Sequence, residues 1–171
     1  MQIPNKQIIN LVNLLIYLLY NKYMQTLILP GFSASNKEWV DETAKSIKSD
    51  DIIRPFYWMH WTDENFKFDI QEKAELIVKH LRGEKANIIA KSLGTLVASL
   101  VCKMIPNQIE KVILNGIPLR NVNPEELEII KFAIQLNKDK IIIFQNNNDP
   151  HGTFEEVKGF GNVVMKERDD H

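Results

Sequence analysis

The chain has 171 residues, with 21 Lys and Arg against 22 Asp and Glu and a net charge of −1; that is enough for one domain with a substantial core. Hydrophobic residues make up 44% and charged residues 25%, the proportions of a globular protein rather than of a fibrous or disordered one. The lysines are scattered among acids, which excludes the basic footprint of a nucleic-acid binder. The single cysteine, Cys102, cannot form an internal disulfide; it reads as a small buried hydrophobe, and the cytoplasm is the natural compartment.

From Ile8 to Tyr20 the sequence is apolar, interrupted by Asn10 and Asn13. The stretch is too short to span a bilayer as a helix. Lys6 gives it a weak positive flank, but no small-x-small cleavage site follows. Residues 1–23 therefore read as a segment outside the core fold, either an extra apolar helix or residues upstream of the natural start. Met24 directly precedes the first convincing strand. Anchoring to a membrane surface through residues 8–20 is the lesser reading.

The elements of residues 24–171 follow in order. Thr26 to Leu29 is a short apolar strand, and Pro30-Gly31-Phe32-Ser33 is a loop. Ser35 with Glu38 has capping-box spacing and opens a helix with apolar residues at 39, 40, 43, 44 and 47. Ile52 to Trp58 is a second strand, and Pro55 places it at an edge. Asp69 and Glu72 cap a helix whose inner face is Ile70, Ala74, Ile77 and Leu81, and Gly83 stops it. Ala86 to Lys91 is the third strand, and the helix after it ends at Pro106. Ile109 to Leu114 is the fourth strand. Asn123-Pro124-Glu125-Glu126 sets a cap, a first-turn proline and acids ahead of a helix through about Leu136. Lys140 to Phe144 is the fifth strand. Thr153 with Glu156 opens a short helix, and Asn162 to Met165 is the sixth strand.

Strands and helices alternate throughout, and the central strands are unbroken apolar runs. Such a pattern predicts an α/β domain: a doubly wound, mostly parallel six-stranded sheet with helices on both faces. Ligands of such sheets sit beyond the carboxyl ends of the strands.

The third strand runs into Ala90-Lys91-Ser92-Leu93-Gly94, after which apolar residues at 96, 97, 100, 101 and 104 take up helical spacing. Strand, sharp turn and helix with serine at the turn read as a nucleophile elbow of the G-x-S-x-G type, with Ala90 in place of the first glycine. Small flanking residues are needed because the backbone folds tightly enough to drive a larger side chain into the neighbouring strand or helix. An ordinary strand-to-helix turn with Ser92 as N-cap has the same local composition. Lys91 precedes the serine, but strand alternation turns it away, which argues against a Ser-Lys dyad.

The other strand ends decide between these readings. The first ends at Pro30-Gly31-Phe32, the fifth at Asn146-Asn147-Asn148-Asp149-Pro150-His151, and the sixth at Asp169-Asp170-His171. Serine, acid and histidine thus occur in that chain order, in loops on one side of the sheet. In this order and spacing the sequence resembles the small lidless α/β-hydrolases over residues 24–171. The resemblance implies Ser92 as nucleophile, His171 as general base and Asp149 as the acid that orients it. It also implies an oxyanion hole from the amides of Leu93 and Phe32, with Gly31 permitting close approach and Ser33 the near alternative. Hydrolases of this fold continue into a final helix, which the sequence lacks after His171.

The implied activity is cleavage of an ester, thioester or amide through an acyl-enzyme, with a small-molecule or acyl substrate and no cofactor. The alternative is a non-catalytic binding module on the same scaffold. A flavodoxin-like nucleotide binder is disfavoured because the first loop has one glycine and no phosphate-cradling pattern. His151 reads as lining the mouth of the site. His60 and Trp61, in Trp58-Met59-His60-Trp61, read as an aromatic wall of the substrate pocket. No histidine spacing of a metal site occurs, and no metal is assigned.

Overall fold

A computed structural model describes residues 24–171; the apolar segment expected at residues 1–23 lies outside the described residues. The elements are β1 (Gln25–Leu29), α1 (Asn36–Ser46), β2 (Ile52–Pro55), α2 (Ile70–Leu81), β3 (Ala86–Lys91), α3 (Leu93–Met104), β4 (Ile109–Asn115), α4 (Pro124–Leu136), β5 (Ile141–Asn146), α5 (Phe154–Val157) and β6 (Val163–Lys166). Two 3-10 turns, Met59–Trp61 and Leu119–Asn121, lie in the connections after β2 and β4. The sheet has the order β2-β1-β3-β4-β5-β6, and every neighbouring pair is parallel. From β1 the chain winds one way to β2, then crosses back to place β3 on the other side. The carboxyl ends of β1 and β3 therefore flank the crevice at which the winding reverses. Phe32 and Ser92 leave the sheet there.

Among the described residues, helices cover the sheet unequally. Helix α1 packs over β1 and β2, whereas α2, α3 and α4 pack against one another on the opposite face. Helix α3 is buried from Gly94 through Cys102, and Ile88 and Ala90 of β3, Leu114 of β4 and Ile143 of β5 belong to the same core. Burial pushes the Cys102 thiol up to about 12, so it stays protonated and inert at neutral pH. On the α1 face, Ile89, Ile113 and Ile142 lie in one row across β3, β4 and β5, with Phe144 and Val164 paired beside them. Ile142 and Val164 are 39% and 38% exposed. No helix among the described residues is long and apolar enough to cross a membrane.

Three expected caps form, one of them between Thr153 and Glu156, whose carboxylate accepts the Thr153 amide at 2.8 Å. Asp69 accepts the Glu72 amide at 2.8 Å, and Asn123 with Glu126 makes a reciprocal capping box. Helix α2 closes through Arg82 and Gly83 at φ 49° and 89°, the left-handed geometry of a helix terminus. Ser35 is different. Its backbone is already helical at φ −60° and ψ −18°, so the side chain cannot reach back to cap. Its hydroxyl turns to Ser33 Oγ instead, at 2.9 Å. Strand β2 is an edge strand, as Pro55 requires, but it stops at that residue. Past it the chain leaves the sheet, and the Trp58 indole is buried with its N–H on Pro30 and Gly31.

Candidate active site

Ser92 sits at φ 54° and ψ −129°, a backbone conformation that a non-glycine residue holds only when its surroundings over-determine it. Three hydrogen bonds do so. The Ser92 amide donates to the Asn115 carbonyl at 2.9 Å, and its carbonyl accepts the Thr95 amide at 2.8 Å and the Thr95 hydroxyl at 2.7 Å. Tight packing explains the flanking residues. A Cβ on Gly94 would lie 2.5 Å from the Pro30 carbonyl oxygen, and one on Gly31 would lie 3.0 Å from the Ser92 Cβ. Gly94→Ala is therefore expected to push α3 away from the end of β1. Because the obstacle is backbone, the expected destabilisation is about 1–3 kcal/mol; chemical denaturation checks this.

The β5 and β6 ends bring a carboxylate to an imidazole. His171 Nδ1 lies 2.8 Å from Asp149 Oδ2 and 3.0 Å from Oδ1. A carboxylate accepts only, so Nδ1 carries the proton and Nε2 presents its lone pair. That Nε2 is buried and has no hydrogen-bond partner among the described residues. Asp149 is fully buried; its oxygens also accept the His151 amide at 2.8 Å and Gln145 Nε2 at 3.1 Å. Gln145 in turn accepts the Ile117 amide at 2.8 Å and donates to the Gly152 carbonyl. Burial holds the His171 imidazole below its usual range, with the Asp149 carboxylate opposing that shift. Gly116, at φ 65°, makes room for the ring, since a Cβ there would lie 3.1 Å from His171 Cε1.

Ser92, Leu93, Phe32, Ser33, His151 and His171 line one cavity of about 340 Å³. Neither the Phe32 amide nor the Leu93 amide donates to an acceptor among the described residues. Both are free to bind an oxyanion. The His151 ring lies with its centroid 4.5 Å from that of His171. Lys91 borders the same cavity, contrary to the alternation argument, with its ammonium 5.9 Å from the Trp39 ring centroid; burial lowers its pKa.

His60 and Trp61 do not line this cavity. Instead they grip the loop that forms it: His60 Nε2 and Trp61 Nε1 donate to the Phe32 carbonyl at 2.8 and 2.6 Å, and the His60 ring stacks on Phe32 at 4.6 Å. Sequence reasoning also missed Gln145 and Gly116. A glutamine ending the run Ile141-Ile142-Ile143-Phe144 was a readable signal, because a buried amide must be satisfied. Among the described residues no group of three His, Cys, Asp or Glu side chains is gathered as a metal ion would need.

Sheet order, helix placement and the serine at the end of β3 define the α/β-hydrolase fold, and the chain has that fold. It is similar to α/β hydrolase domain-containing protein 10 from mouse, at 12% identity over 88% of this chain and 83% of that one, with a TM-score of 0.62. A monoacylglycerol lipase from Paleococcus ferrophilus matches at 10% identity over 86% and 83%, with a TM-score of 0.60. An α/β-hydrolase enzyme from the metagenome of lagoon sediments of Mar Chica, Morocco, matches at 18% identity over 88% and 83%, with a TM-score of 0.59. No protein-family model matches the chain, and no curated protein does.

Proposed function

We propose that the chain is a serine hydrolase acting on a carboxylic ester, thioester or amide through an acyl-enzyme. One observation carries the reading: His171, hydrogen-bonded to the buried Asp149 and with its Nε2 unoccupied, borders the same cavity as a serine held at a strained turn. His171 Nε2 takes the Ser92 hydroxyl proton as Oγ attacks the substrate carbonyl, and the Asp149 carboxylate stabilises the imidazolium. The carbonyl oxygen, now anionic, is held by the Phe32 and Leu93 amides. The intermediate collapses, the leaving group receives the proton from Nε2, and Ser92 keeps the acyl group. Water repeats the sequence, with His171 again as base, and releases the acid. The lipase and enzyme neighbours support hydrolysis as the reaction class.

Labelling by a fluorophosphonate probe, mapped to Ser92, tests the proposal; an unlabelled serine in folded protein would overturn it. A binding module on the same scaffold draws on a different observation, that Nε2 makes no hydrogen bond to Ser92 or to any other described residue. Catalytic hydrogen bonds are often open without substrate, so hydrolysis is the better reading. The base is expected to be His171 rather than His151. His171→Ala should inactivate, and His151→Ala should leave activity within about tenfold; the reverse pattern would reassign the base.

The same imidazole sets the pH dependence. It must be neutral to accept a proton, and burial favours its neutral form. Activity is therefore expected to rise as pH rises through the His171 pKa, with the midpoint of log kcat/KM below about 6.5. A midpoint above that value would show that the Asp149 carboxylate outweighs burial at the ring.

A further inference from the structure

The Phe32 amide can serve an oxyanion only while it points into the cavity, and its direction belongs to the Gly31–Phe32 peptide group. That group is planar and trans, so its C=O and N–H point in opposite directions. Fixing the Gly31 carbonyl therefore fixes the Phe32 N–H. The side chain that does so is Trp58, whose Nε1–H is shared between the Gly31 and Pro30 carbonyls at 3.1 Å each.

Such a hold is needed here. A Cβ at position 31 would crowd Ser92 Cβ and Asn36 Nδ2 at 3.0 Å each, and the glycine that stands there readily adopts the alternative backbone angles that flip a peptide plane. A flipped group would turn a carbonyl oxygen, a repulsive acceptor, toward the developing negative charge. Trp58 is 4% exposed and is seated edge-on against Phe68, with ring centroids 5.5 Å apart. Its N–H is thus delivered from a rigid support. The following peptide group is held in the same way, because His60 and Trp61 donate to the Phe32 carbonyl.

We infer that Trp58 is a positioning residue for the oxyanion-binding amide, acting through the Gly31 carbonyl; the inference rests on the hydrolase reading above. Its effect belongs to the transition state. The neutral substrate carbonyl needs the amide little, whereas the tetrahedral oxyanion needs it fully. Loss of one oxyanion donor typically lowers kcat by about 10²–10³; loss of its orienting partner is expected to lower kcat by about tenfold to a hundredfold.

The test compares three proteins: wild type, Trp58→Phe, and a variant with benzothienylalanine at position 58, which keeps the indole shape without the N–H donor. Each is assayed for kcat and KM on a p-nitrophenyl ester, for inhibition by a trifluoromethyl ketone whose hemiketal carries an oxyanion, and for thermal midpoint. Support is a fall in kcat with KM within about threefold, and weaker trifluoromethyl ketone inhibition in proportion to kcat/KM. Unchanged kcat in the folded benzothienyl protein overturns the inference, as does a fall in kcat with inhibitor affinity unchanged. Should Trp58→Phe not fold, the shape-matched variant decides alone. Fluorophosphonate labelling of wild type separates the two levels: labelled Ser92 with no effect at position 58 sinks this inference only, and unlabelled Ser92 sinks both.

Discussion

Ser92→Ala is expected to abolish fluorophosphonate labelling and to lower turnover of a short-chain p-nitrophenyl ester by at least about a thousandfold. What remains would be the contribution of binding and of the two free amides. The fold should survive, because the turn is held by the Ser92 amide and carbonyl and its hydroxyl makes no capping bond to α3. Alanine retains all three bonds made through the backbone of residue 92 and tolerates φ 54° about as poorly as serine does, so the substitution removes the proposed nucleophile and little else. A cooperative thermal transition at the wild-type midpoint establishes that the loss is chemical. Persistent labelling in the mutant would show that another group reacts with the probe.

Asp149→Asn is expected to cost on the order of 10⁴ in kcat. The carboxylate is fully buried and accepts from three groups at once: His171 Nδ1, the His151 amide and Gln145 Nε2. Asparagine has one accepting oxygen and an NH2. With its oxygen toward the His151 amide, the NH2 faces two donors. The imidazole relieves the conflict by moving its proton to Nε2 and accepting at Nδ1, which leaves no lone pair toward Ser92. The loss therefore arises from the wrong tautomer in an intact site. Nitrogen NMR of His171 reads the tautomer directly. Activity within tenfold of wild type would remove Asp149 from the proposed chemistry.

The sheet was legible because its signals are local and periodic. Apolar runs marked the six strands, and Asp69, Asn123 and Pro124 marked helix starts by side chains that act within one turn. The tight turn at Ser92 was legible for a related reason, since a Cβ on Gly94 would meet the Leu29 carbonyl oxygen and, at 2.5 Å, that of Pro30, and one on Gly31 would crowd the Ser92 Cβ at 3.0 Å. Gly116 shares that cause, but nothing near it in sequence reveals the His171 ring it accommodates. The 58–61 stretch was misplaced as a pocket wall, since its aromatic character was plain but its partners were not. Those partners are carbonyls of the β1 loop, which carry no side-chain signature and meet the indoles only after the sheet has formed. Ser35 erred the other way. Its spacing to Glu38 was right for a capping box, but the preceding Ser33–Asn36 turn had already committed the backbone.

The uneven helix cover of the sheet among the described residues divides the proposed site by firmness. Ser92 and the Phe32 loop are mounted on β1 and β3, where Leu27, Leu29, Ile88 and Ala90 are almost wholly enclosed. Asp149 and His171 hang from β5 and β6, where Ile142, Val164 and Met165 still face water and β6 is a four-residue edge strand. Segments with less enclosed apolar surface open at lower free energy than the core. By that principle the imidazole is expected to leave its place more readily than the serine and the amides beside it. For the proposed hydrolase, readiness to react would then depend on how firmly the margin of the sheet is shut, and a substitution on the outer face of β6 is expected to slow turnover without coming near the bond being cut.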